Sequence, residues 1–215
     1  WRLYYGDLTG NGLVDLVMSH VDGPLAMEVP DRGLKAAARA YPFLRERIEG
    51  FEVYGKSNVE LVYGERLKEM RQAAVNSLSN AVFLNRGNRF EKASLPVEAQ
   101  LAPASGIVAA DFDGDGNQDL ALAQNFFAVN YDAWRQDAGR GLILLGDGKG
   151  SFKPMTGAAS GVAAYGEQRG CAVADYDGDG RLDLVIGQNG AATKLFHNRA
   201  AKPGLRVRFK NPGEA

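Results

Sequence analysis

The sequence predicts an all-β fold made of β-propeller blades. It predicts about three four-stranded antiparallel blades, part of a larger propeller, with a helical insertion in the first. Three observations lead there. An acidic pattern, "ADFDGDGNQDLALAQN" at 110–125, returns as "ADYDGDGRLDLVIGQN" at 174–189 and, worn, as "GDLTGNGLVDLVMSH" at 6–20. Each copy runs into a short apolar segment followed by a strand-like segment and a turn. Counted from Asp7, Asp111 and Asp175, the copies lie 104 and 64 residues apart, so the first unit carries 40 extra residues.

The elements follow in order. Apolar runs at 107–110, 120–123, 142–145 and 184–186, punctuated by Gly, Asn and Asp, read as strands. Blade one spans 1–96, with "DLVMSH" and, much later, "NAVFLNRGNRFEKASL" as its later strands. The excess residues, about 30–74, read as helices between its second and third strands. There "LKAAARA" is rich in helix formers and Pro42 suits a first turn, while Ser57 with Glu60 makes a capping box. Blade two spans 97–156 and includes "GLILLGDGKGSFKPM". Blade three spans 157–210 and includes "TKLFHNRA", ending in the alternating segment "GLRVRFK".

Composition sets limits. The chain has 215 residues, 45% hydrophobic and 24% charged, which is enough for a substantial core and typical of a globular protein. No apolar run reaches the length of a membrane span, and no secretion signal is visible; the chain begins at Trp1, so an upstream piece is expected to be missing. A net charge of −1 argues against a nucleic-acid partner. Two acidic loops hold eight of the 26 Asp and Glu, so elsewhere 25 basic residues outnumber 18 acidic ones. Cys171 is the single cysteine, which excludes an internal disulfide; in "GCAVAD" it reads as a buried structural thiol.

The spacing D-x-D-x-D-G-x-x-D explains the concentrated charge. Asp111, Asp113 and Asp115 alternate, so a tight loop turns their carboxylates toward one point, and glycines supply the positive φ that bending needs. The carbonyl of Asn117 and the carboxylate of Asp119 complete an oxygen cage. Asp175, Asp177, Asp179, the carbonyl of Arg181 and Asp183 repeat it. Carboxylates packed this closely repel unless a cation lies among them, and flexible all-oxygen coordination favours Ca2+ over Mg2+. Position 12 of the loop is Leu122 or Ile186, so this is not an EF-hand. In the worn copy, Asp7, Thr9, Asn11, Leu13 and Asp15 hold two fewer acids, which predicts a weak third site or a metal-free turn.

At these loops the sequence resembles the FG-GAP/VCBS repeat family, whose blades also occur in integrin α-subunit propellers. "NAVFLNRG" and "LPVEAQ" are similar to patterns in proteins that carry such repeats before an ASPIC/UnbV segment, and 203–215 resembles the opening of that segment. The resemblance implies structural calcium, an extracytoplasmic location, and adhesion or ligand binding of a protein or glycan. Three blades fall short of a closed propeller, so further blades are expected in cis or in trans.

Catalytic patterns are sparse. His20 and His197 belong to no metalloprotease or triad-like motif, and "GDGKGS" at 146–151 lacks phosphate-loop spacing and reads as a hairpin turn. "LRVRFK" reads as an amphipathic edge strand rather than a nucleic-acid or glycan patch. A non-enzyme is therefore expected. The alternatives are a propeller portion of a secreted polysaccharide-active enzyme and a structural subunit of a surface assembly. The aromatic stretch "QNFFAVNYDAW" at 124–134 suits ligand contact or core packing.

Overall fold

A computed structural model describes residues 1–129 and 133–204. Among them the chain forms four antiparallel sheets, none closed, in two compact units, Trp1–Leu78 and Ser79–Ala215. The expected "GLRVRFK" strand beyond Gly204, all but the first two residues of the 203–215 segment, and residues 130–132 of the aromatic stretch lie outside the described residues.

In the first unit, β1 (Arg2–Gly6), β2 (Asp15–Asp22), β3 (Met27–Pro30) and β4 (Arg71–Ala74) form one sheet in the order β3-β2-β1-β4. Alternation sends Tyr4, Val17 and Ser19 to one face. That face is covered by α1 (Leu34–Ala40), α2 (Leu44–Arg47), α3 (Phe51–Gly55) and α4 (Val59–Tyr63), followed by a 3-10 turn, Glu65–Glu69. Leu8, Tyr41, Leu44, Val62 and Leu67 close the core with Tyr4 and Val17. The insertion supplies most of the apolar side chains that pack against this sheet. Glu28 ties three strands together, accepting from Tyr4 Oη at 2.8 Å, Ser19 Oγ at 2.5 Å and Arg2 Nη1 at 2.7 Å.

Three details differ from the sequence reading. The helices fall between β3 and β4, because β2 turns directly into the short strand 27–30, whose four residues are too few to establish a hydrophobic period. The segment read as later strands of blade one forms β5 (Ala81–Asn85) and β6 (Phe90–Ser94), which pair only with each other and fall in the second unit. The edge of β1 is taken instead by β4. Asn58 rather than Ser57 caps α4, accepting from Leu61 N at 2.8 Å; the Ser57 hydroxyl donates to the Val53 carbonyl at the end of α3.

In the second unit, β7 (Ala104–Ala110), β8 (Asp119–Gln124), β9 (Leu142–Gly146) and β10 (Phe152–Pro154) form a meander in the order β10-β9-β8-β7. The "GDGKGS" segment is the β9–β10 turn, closed by Asp147 N to the Ser151 carbonyl and by Asp147 Oδ1 accepting from Lys149 and Ser151 amides. After α5 (Gly157–Ser160), β11 (Glu167–Ala174), β12 (Asp183–Asn189) and β13 (Lys194–Phe196) form a three-stranded sheet.

These two sheets touch through their first strands. A Cβ on Gly106 of β7 would lie 2.8 Å from the Cα of Gly170 in β11, so glycine alone permits the approach. Both residues stand five positions before the first Asp of their loops. Strand β8 is consequently buried on both faces: Ala121 and Ala123 face Ile143, Leu184 and Ile186, while Leu122 faces Leu95, Leu142 and Leu144. Cys171 is half-buried here and burial raises its thiol pKa, consistent with a structural residue. Ile186 is 1% exposed, so Ile186→Val should cost about 1 kcal/mol in chemical denaturation of the second unit.

At the strand ends opposite the loops, Glu167 is buried and accepts from Phe127 N, Asn189 Nδ2 and Arg169 Nη2. These donors, the Phe127 amide first, hold its pKa below the usual range. A depressed carboxylate stabilises the fold above its unfolded pKa and loses that contribution as pH falls through the folded one. Glu167→Gln should therefore be less stable than wild type at pH 7, with the gap closing as pH falls below the ordinary glutamate range, as read by denaturant midpoints.

Candidate metal centre

Each acidic loop joins the first strand of a sheet to the second, and all three share one backbone. Paired glycines take positive φ in every copy: Gly10 and Gly12, Gly114 and Gly116, Gly178 and Gly180. The first Asp organises the turn. Asp111 accepts from Gly114 and Asp115 amides through Oδ1 at 2.7 and 3.1 Å, and from Gly116 N through Oδ2 at 2.9 Å. Asp7 does the same with Gly10, Asn11 and Gly12. The bend therefore depends on the first Asp and the glycines, and survives where later carboxylates are lost.

The last Asp is a buried anchor. Asp119 is 0% exposed, and its two oxygens accept from Phe112 N and Gly146 N, each at 2.8 Å. Asp183, 2% exposed, accepts from Tyr176 N and Asn198 N, each at 2.9 Å. Asp119 thus fastens its turn to the end of β9, and Asp183 fastens its turn to the segment just after β13.

Between these anchors the carboxylates gather. Ligand atoms of Asp111, Asp113 and Asp115 lie within 4.8 Å of one another, as do those of Asp175, Asp177 and Asp183. The grouping is three acids per loop. Asp119 stands outside the second-loop group. Asp179 stands outside the third, turned to Arg181, whose Nη1 lies 2.6 Å from its carboxylate. Burial, reinforced by the charges of Asp119, Asp115 and Asp111, raises the Asp113 pKa. The Asn117 amide holds Asp115 low, and the Arg181 amide holds Asp179 low.

One atom tests whether a cation fits. Asp175 Oδ1 is buried with no hydrogen-bond partner, while its Oδ2 accepts from Gly180 N at 3.1 Å. A buried carboxylate oxygen without a donor needs a positive partner, and Asp177 and Asp183 offer oxygens beside it. The site suits a hard cation with oxygen ligands. The backbone carbonyls of Asn117 and Arg181 lie within these loops, and their amides bond to Asp115 and Asp179.

The worn loop satisfies itself. Thr9 gives Asp15 Oδ2 its amide at 2.9 Å and its hydroxyl at 3.1 Å, and Asn11 Oδ1 accepts from Leu13 N. No group of three acids forms there among the described residues.

Sequence reasoning missed the segment after β13. Asn198 Nδ2 donates to the Phe112 carbonyl at 2.8 Å, Arg181 Nε to the Ala201 carbonyl at 2.7 Å, and Gly204 N to the Gly180 carbonyl. Residues 198–204 thus cross between the two acidic loops, beside a cavity of about 490 Å3 that both loops and Lys202 line. The available signal was the shared "NR" of "FLNRG" and "FHNRA": Asn85 and Asn198 both accept a backbone amide two residues on.

Short antiparallel sheets with an Asp- and Gly-rich loop between their first two strands define a blade-type β-repeat protein. Consistent with that class, residues 126–186 match the model of the family described as FG-GAP-like repeat, a span that includes the third acidic loop and ends in β12. Such repeats are typical of extracellular proteins. No curated protein matches the chain. No helix among the described residues is long and apolar enough to cross a membrane.

Proposed function

We propose that the chain is the calcium-clamped part of an extracytoplasmic β-propeller that binds a protein or glycan, with further blades supplied in cis or in trans. The observation that carries the calcium reading is the buried, unpartnered Asp175 Oδ1 beside Asp177 and Asp183. When bound, Ca2+ would neutralise the clustered acids of loops two and three and so join the first strand of each sheet to the second. The chain's own contribution is the preset backbone: Asp119 and Asp183 are already fixed by buried amides, so little ordering remains on binding. The self-satisfied first loop reads as a metal-free turn. The finer kinship, with repeats that precede an ASPIC/UnbV segment, rests on "NAVFLNRG" and "LPVEAQ" alone.

One feature supports a binding role over an enzymatic one. Trp134 is 93% exposed in the aromatic stretch, as a contact residue would be. The two histidines face carboxylates, His20 3.6 Å from Asp31 and His197 3.7 Å from Asp177 and Asp183, which places His197 beside the acidic loop. Calcium titration of metal-stripped protein by calorimetry tests the reading. Two tight sites with a parallel rise in melting temperature are expected; absence of binding would return the carboxylates to other uses and revive the enzyme alternative.

A further inference from the structure

We propose that Asn198 couples the two acidic loops, so that a divalent cation held in loop three strengthens cation binding in loop two, and the reverse. The inference rests on the calcium reading of those loops and adds a relation between them.

Asn198 touches both loops at once. Its backbone amide donates to Asp183 Oδ1 at 2.9 Å, and Asp183 belongs to the loop-three acid group. Its side-chain Nδ2 donates at 2.8 Å to the carbonyl of Phe112, which stands between Asp111 and Asp113 of the loop-two group. Its Oδ1 accepts from the Ala200 and Ala201 amides at 3.3 and 3.2 Å, which turns the chain back toward the loops. Beyond that turn the segment is fastened to loop three again. Arg181 Nε donates to the Ala201 carbonyl at 2.7 Å, and Gly204 N to the Gly180 carbonyl at 2.6 Å. The segment also lies against loop two, where a Cβ on Gly114 would stand 2.9 Å from Lys202 N.

The repeat supplies an internal control. Strand β12 pairs with β13 as β8 pairs with β9, with Leu184 opposite Phe196 and Leu120 opposite Leu144. Two residues further on stand Asn198 and Gly146, and each gives its amide to the last Asp of its loop. The amide anchor is thus common to both copies. Gly146 has no side chain with which to repeat the bridge to a neighbouring loop.

The sign of the coupling follows from how the segment is held. Of residues 199–204 only Ala201 is buried, so hydrogen bonds more than packing keep the segment in place. Such an element orders and loosens at low cost. A cation in loop three fixes Asp183 and the Gly180–Arg181 backbone, and through them the segment and the Phe112 carbonyl. That ordering is complete when a second cation enters loop two, which therefore binds more tightly. Linkage makes the effect reciprocal. Repulsion between two cations acts through space with the opposite sign, and salt screens it.

Calcium titrated into the metal-stripped full chain at about 0.15 M salt tests the coupling. The amides of Gly116 and Gly180, bonded to Asp111 and Asp175, report loops two and three separately in proton–nitrogen correlation NMR. Asp177→Asn, which disables loop three, should raise the calcium midpoint of the Gly116 signal about fivefold over wild type. Asn198→Ala keeps the amide to Asp183 and removes the bridge; in that background Asp177→Asn should leave the Gly116 midpoint unchanged. A merely structural Asn198 would lower stability and leave the effect of Asp177→Asn in place. Arg181→Met, which removes the donor to the Ala201 carbonyl, should also weaken the coupling, and decides the matter if Asn198→Ala folds poorly. If both loops bind but the Gly116 midpoint ignores Asp177→Asn, or still follows it once Asn198 is replaced, the coupling is overturned and the calcium reading stands. If neither signal responds to calcium, the calcium reading falls and the coupling falls with it.

Discussion

Asp177→Asn should lower the melting temperature of the second unit by about 5–10 °C in millimolar calcium and by almost nothing in chelator. Asp177 belongs to the group formed with Asp175 and Asp183, and it anchors little else: its Oδ1 accepts from Asp179 N at 3.1 Å, a bond an asparagine oxygen also makes. Its carboxylate charge therefore matters to a bound cation and hardly to the bare loop. A ligand present at a hundred times its Kd stabilises the native state by about 2.7 kcal/mol, which sets the size of the loss. Asp113→Asn should behave alike in the second loop. In chelator it should even be neutral or slightly stabilising, since burial and neighbouring acids already penalise its charge. Scanning calorimetry with and without calcium measures both variants. Equal losses in the two conditions would sink the clamp.

Asp119→Ala should instead destabilise by about 2–6 kcal/mol whether or not calcium is present. Asp119 is fully buried, and each carboxylate oxygen is the acceptor for one backbone amide, Phe112 and Gly146. Removing it strands two buried donors, each costing about 1–3 kcal/mol. It also unfastens the loop from β9, because Gly146 ends that strand. The measurement is a denaturant midpoint in calcium and in chelator. A loss confined to the calcium condition would make Asp119 a ligand first and an anchor second. The two substitutions separate roles that the repeat pattern writes with one letter: D-x-D-x-D-G-x-x-D gives no sign of which Asp faces an ion and which faces the backbone.

Much of the fold was legible because its causes are local. Glycines at fixed positions after an Asp specify the loop backbone, so three copies bend alike even where Thr9 and Asn11 replace acids. Apolar runs of strand length located β7, β8, β9 and β12, and the run "LKAAARA" located α1. The "GDGKGS" turn was legible for the same reason.

What escaped the sequence depends on partners distant along the chain. Strand β3 has only four residues and little period, and is held by pairing with β2; β5 and β6 look like blade strands, yet which sheet they join depends on which edge is free, and β4 had already taken it. The sequence by itself determined the repeat, the shape of its loops and the density of negative charge within them. Only the tertiary structure decided the fate of each carboxylate and amide: Asp119 spent on two amides, Asp179 on Arg181, Asp175 left with a bare oxygen, Gln188 satisfied and Gln124 not. The physical reason is that a polar atom's role is set by the donors and acceptors within about 3 Å of it, and in this chain those come from residues up to 86 positions away.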